Sequence, residues 1–169
     1  MRDFTNTGGR LQRLPWPSKA LYATYNLLTT AGFLTAVALY WDGLGLTAEG
    51  ASRWYLGNAD DPAATAIVFE KSTRDLLQIT HQHLFAMPVA LLVLGHLFLL
   101  SRGGPWKGAV VVAAGLMLAC HVAGPWIIHF GGPAFGFVMP LTAFPFVGLF
   151  LFMALWPLPD LLRKPDNDA

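Results

Sequence analysis

Long runs without a charged side chain constrain this sequence more than any motif in it. No Asp, Glu, Lys or Arg occurs between Lys19 and Asp42, from Leu76 to Ser101, or from Gly108 to Pro159. In hydrocarbon every backbone N–H and C=O must be satisfied within the protein, which restricts spanning segments to helices or closed barrels. A helix crosses the apolar core in about 20 residues. The first two runs each fit one crossing, and the third fits two, broken at Gly131-Gly132-Pro133. Only 12% of the chain is charged, against roughly 25% in a soluble domain. The reading is therefore an all-α, integral membrane four-helix bundle. It forms a single domain over 1–169, with spans at about 20–41, 75–101, 108–130 and 136–157.

The first run could be mistaken for a signal peptide, but it is too long for such an apolar segment. It also lacks a small-x-small site before Tyr40-Trp41, so it reads as a span. Lys and Arg set the orientation. Arg2, Arg10, Arg13 and Lys19 precede the first span, Arg102 and Lys107 follow the second, and Arg163 and Lys164 follow the fourth. Four spans place all three segments on one side, so both termini are expected in the cytoplasm. The opposite side holds the 42–74 loop, where Asp42, Glu49, Asp60, Asp61 and Glu70 outnumber the bases. A net charge of +1 without a basic stripe argues against a nucleic-acid partner. The lone Cys120 lies in mid-span and supports no disulfide framework.

The outer loop is expected to carry short interfacial helices. Thr47 can cap one running through Trp54 and Tyr55. Asp61-Pro62 has the form of a second start, followed by an apolar stripe of Ala63, Ala64, Ile67 and Val68. Ser72 and Asp75 fit a capping box at the head of the second span. Trp41, Trp54 and Tyr55 suit the headgroup level, as do Trp16, Trp106, Trp126 and Trp156. Residues 164–169 after the last span are expected to be disordered.

All five histidines fall in two spans: His81, His83 and His96 in the second, His121 and His129 in the third. Ionisable groups within a bilayer are costly and mark functional sites by default. At about 1.5 Å per residue, His83 lies about 27 Å and His121 about 20 Å above the inner ends of their spans. His81 and His129 lie near the outer face, and His96 stands apart near the inner one. Two neighbouring helices presenting imidazoles at similar height can ligate a b-type haem, with His83 and His121 as the axial pair and His81 and His129 in reserve. Ala86, Ala90, Gly95, Ala113, Ala114, Gly115, Ala119 and Gly124 could leave room for a porphyrin. A second haem at His96 lacks a histidine partner, with Met153 the one candidate. An outer copper or zinc site is the alternative, from His81, His83 and His129 with the Met87 thioether, or Met139 nearby. The third possibility is structural, each ring bonded to a hydroxyl such as Thr80 or Thr142.

The segment Ile79-Thr80-His81-Gln82-His83-Leu84-Phe85-Ala86-Met87-Pro88, with Leu94-Gly95-His96-Leu97-Phe98 beyond it, resembles small four-span bacterial inner-membrane proteins. More loosely, the architecture is similar to four-helix membrane b-type cytochromes, whose two-haem members carry stacked histidine pairs. This chain departs from that pattern at the inner pair. The intramembrane histidines lead to the expectation of an inner-membrane electron-transfer subunit, within a larger respiratory or photosynthetic complex. Such a subunit would exchange electrons with a quinone or a periplasmic cytochrome. A non-catalytic accessory subunit is the alternative, and a stand-alone enzyme fits less well than either.

Overall fold

The computed structural model describes residues 10–163. The tail expected to be disordered, 164–169, lies outside the described residues, as do Arg2 and Asp3 of the basic N-terminal segment. Four helices are long and apolar enough to cross a membrane. They are α1 (Trp16–Leu44), α3 (Thr73–Leu100), α4 (Lys107–Gly131) and α5 (Val138–Leu155). A cap helix, α2 (Ala48–Leu56), follows α1, and a short α6 (Leu158–Leu162) follows α5. The described residues contain no strand.

The spans end within a few residues of the charge-free runs, because the local signals are strong. Ser72 accepts from the Asp75 N–H, while the Asp75 carboxylate takes the Ser72 N–H at 3.0 Å and its hydroxyl at 2.7 Å. This reciprocal box fixes the first turn of α3. Thr47 caps α2 through the Gly50 N–H at 3.0 Å. The second expected cap helix does not form. Asp61 instead closes a turn, accepting from the Ala63 N–H on its side chain and from the Ala64 N–H on its carbonyl. Asn58 then ties this loop together, accepting from the Val68 N–H and donating to the Ala66 carbonyl. Local bonding of this kind competes with helix wherever Asn and Asp are present.

The closest helix pairing is α4 with α5. They are joined by a 3₁₀ turn (Pro133–Phe135) after Gly132, whose φ of 92° lies where glycine is favoured. Helix α3 packs on α4, and α1 lies mainly against α5 and α6. Phe33, Leu94, Leu118, Phe146 and Phe150 from all four spans form the central core, with Phe33 stacked on Phe150 at 3.9 Å. At the cap end, Leu44, Tyr55, Leu76, Ile128 and Met139 make a second cluster. Tyr55 is buried in this cluster, and burial raises its phenol pKa above the ordinary value. Trp126 also turns inward and donates its indole N–H to the Thr80 hydroxyl at 2.7 Å.

The opposite, basic end is held by polar side chains. Asp160 is 2% exposed. It accepts from the Gln12 amide at 3.0 Å and the Arg102 backbone N–H at 2.6 Å, and pairs with the Arg102 guanidinium at 2.7 Å. The Lys107 ammonium bonds the Phe98, Leu99 and Ser101 carbonyls, which α3 leaves open at its C-terminus.

Two stability predictions follow from these contacts. Asp160→Asn strips the buried anion from Arg102 and Gln12 and is expected to destabilise by roughly 1–3 kcal/mol. Thermal unfolding in detergent reads this; an unchanged midpoint would show that the clamp is dispensable. A Cβ at Gly136 would overlap the Ala48 carbonyl oxygen and the Ser52 hydroxyl. Gly136→Ala should therefore prise the cap from the α4–α5 turn and cost about 1–3 kcal/mol. The same assay checks it against the open position Gly115, where a Cβ meets nothing within 4 Å.

Candidate functional site

Of the five histidines, the structure brings together His83 on α3 and His121 on α4, their ring centres 6.4 Å apart at an interplanar angle of 55°. Each ring is anchored through one nitrogen. His83 Nδ1 lies 2.8 Å from the Ile79 carbonyl one turn earlier. A carbonyl can only accept, so Nδ1 carries the proton. His121 Nδ1 lies 3.2 Å from the Thr142 hydroxyl on α5. That hydroxyl gives its own proton to the Val138 carbonyl at 2.8 Å, so its oxygen accepts from His121. Both rings are thus held as Nδ1–H tautomers with the Nε2 lone pairs outward. Neither Nε2 has a hydrogen-bond partner among the described residues. Thr142 itself is buried at the α4–α5 contact.

Both imidazoles face a slot behind the cap-side half of α1. A cavity of about 180 Å³ lies on the α5 side, walled by Phe33, Val37, Met87, Phe146 and Val147. A second, of about 410 Å³, runs beneath the cap past Leu39, Trp54, Tyr55, Thr80 and Gln82. The two share Ala36, Tyr40, His83 and His121, so they meet at the histidine pair. Tyr40 approaches His121 with ring centres 5.8 Å apart, and Phe146 stacks on the same imidazole at 6.4 Å. The slot is apolar, with a few convergent polar groups, as ligand pockets generally are.

None of the eight small residues expected to make space lines either cavity. At Gly124 the missing side chain is replaced by Met139, whose sulfur sits where a Cβ would be. The room comes instead from Ala36 on α1 and Ala143 on α5. Ala36, Tyr40 and Phe33 lie on the first span, which carries no histidine and where no apolar periodicity separates an inner face from an outer one. Pro88 does not break α3, which continues through it.

The remaining candidates disperse. His81 is exposed beside Phe85, with ring centres 6.4 Å apart. His129 Nδ1 lies 3.4 Å from Glu70 on the cap loop, within ion-pair reach but without a hydrogen bond. His81, His83 and His129 therefore do not form the trigonal copper or zinc set, although Met87 does line the His83 cavity. Among the described residues no three His, Cys, Asp or Glu side chains converge on a metal position. The reason is helical geometry: side chains two residues apart on α3 point to different sides. His96 lies on the exposed face of α3, while Met153 is buried with Phe98 and Ala114.

Comparison with curated proteins and with solved structures found no match. The family model of the Aq_1264_TM transmembrane helical domain matches residues 45–168, from the cap to the C-terminal tail and including every histidine of the site. The chain belongs to that family, a multi-pass membrane protein built on its transmembrane helical domain.

Proposed function

We propose that the protein is a membrane electron-transfer subunit in which His83 and His121 are the axial ligands of one b-type haem. The observation that carries this is the pair itself. An ion bound to two imidazole nitrogens at about 2 Å each holds the ring centres roughly 6–6.5 Å apart, and these stand at 6.4 Å. Anchored Nδ1–H groups with free Nε2 lone pairs are how ligating histidines are usually oriented. The cavities on either side offer a mostly apolar volume for a flat macrocycle. Bound there, a haem would supply one-electron redox chemistry, with His83 and His121 holding its iron and the apolar shell tuning its potential. The electron partners on this reading are a quinone in the bilayer and a periplasmic cytochrome, within a larger complex. The location is a bacterial inner membrane, with Arg102, Lys107 and Arg163 on the cytoplasmic side, as the excess of bases at that end supports.

A second reading, a non-catalytic accessory subunit of a membrane complex, draws on a different observation. His81 and much of the apolar surface of α3, including Phe85, Val89 and Leu92, face outward from the bundle. A polar ring turned to lipid is unfavourable unless a neighbour covers it.

The two readings separate by colour. Protein purified from haem-replete cells should show a reduced-minus-oxidised α-band, lost in His83→Ala and in His121→Ala. A colourless preparation that keeps its full thermal stability would rule out the haem and leave the accessory role. Thr142→Val should keep the haem but free His121 Nδ1, lowering haem affinity by about 10–100-fold. Haem titration of the variant measures this, and an unchanged affinity would show that Thr142 does not orient the ligand.

A further inference from the structure

The slot is not uniform along its length. Toward α5 its wall is hydrocarbon, from Phe33, Val37, Phe144 and Val147. Toward the cap it becomes polar on one strip of α3. Gln82 and Thr80 line the second cavity, and an outer vestibule of about 240 Å³ continues it past Gln78, Asp75 and Lys71. Trp54, Ile79 and Gln82 border both spaces, so the vestibule adjoins the histidine cavity.

Lys71 is the single cation lining that vestibule. Its ammonium rests over the Trp54 ring at 4.4 Å, and no carboxylate lies within ion-pair distance of it among the described residues. Asp75 lines the same space; its carboxylate takes the Ser72 N–H and hydroxyl and also feels the charge of Lys71. Two glutamine amides, Gln78 and Gln82, stand one turn apart between Lys71 and His83. This gradient does not suit a bare ion or a neutral lipophile. It suits an amphiphile whose apolar body fills the slot and whose acidic substituents reach outward.

Resting on the haem reading, we infer that the outer vestibule is a carboxylate-binding subsite, in which Lys71, with Gln78 and Gln82, holds acidic side groups of a tetrapyrrole bound at His83 and His121. Lys71 supplies a charge-assisted hydrogen bond, stronger than a neutral one. The Trp54 face keeps the ammonium in place before the ligand arrives, because a cation over an indole is itself favourable. The amides donate their N–H groups to the same carboxylates and bring no opposing charge.

The test compares iron protoporphyrin IX with its dimethyl ester, in which both carboxylates are capped. Each is titrated into the full chain, purified free of haem in detergent at neutral pH, and binding is followed by the Soret band. The wild type should bind the diacid about tenfold more tightly than the diester. Lys71→Met should lose that preference by weakening only the diacid, and Lys71→Arg should keep it. Equal affinities for the two porphyrins in the wild type, or a preference that survives in Lys71→Met, would overturn the subsite while leaving the axial pair standing. If neither porphyrin gives the spectrum of a bis-histidine haem, the haem reading falls and the subsite with it. Because Lys71 sits ahead of α3 and outside the cores, unchanged thermal unfolding of its variants serves as the folding control.

Discussion

The close approach of α4 to α5 is the contact on which the histidine site depends. Gly124 lends its missing side chain to Met139, whose sulfur occupies the space. With the helices this near, the buried Thr142 hydroxyl reaches His121 Nδ1. Helix–helix association in lipid has little hydrophobic drive and relies on such close packing. Without it, His121 would have no partner on α5 to fix its tautomer. The anchor of His83 is independent, since it lies within α3. One ligand is thus oriented by its own helix and the other by a neighbour.

The two ends of the bundle are closed by different physics. At the basic end the loops are pinned by charge-assisted bonds to Asp160 and from Lys107. These groups lie where water gives way to protein, and partial burial strengthens each bond. At the cap end the closure is largely apolar, through Tyr55, Leu76, Ile128 and Met139. The cap leaves a gap over the slot, and the polar strip of α3 runs through that gap. Between the ends, α1 leans on α5 and α6 and stands off from α3 and α4 in its outer half. That stand-off is the origin of the slot.

Much of this was legible in the residues. The charge-free runs gave all four spans to within a few positions, because lipid leaves the backbone little choice but helix. The Thr47 cap and the Ser72–Asp75 box were readable for the same reason: each is a bond between near neighbours in the chain. Helix spacing offered two pairs, His83 with His121 and His81 with His129; in the structure the first pair stands 6.4 Å apart, while His81 lies exposed. Other readings failed where competing bonds or packing between helices decide. Asp61-Pro62 reads as a helix start, yet Asn58 draws the segment into a turned loop. The burial of Tyr55 against Leu76 and Ile128 leaves no mark in the local pattern of the cap. Small residues on the second and third spans read as space for a ligand, and packing consumed that space, most plainly at Gly124.

By itself, then, the sequence determined that the chain crosses a membrane four times as helices, and which of its imidazoles lie at similar height. Those properties follow from charge distribution and from a fixed rise per residue, and both are local. Only the tertiary structure decided which wall the two rings face, that Ile79 and Thr142 leave their Nε2 lone pairs open, and that the first span, which carries no histidine, supplies the other side of the slot. These depend on how each helix is turned about its axis. That rotation is set by side chains meeting across the bundle, which periodicity along a nearly uniform apolar helix does not encode.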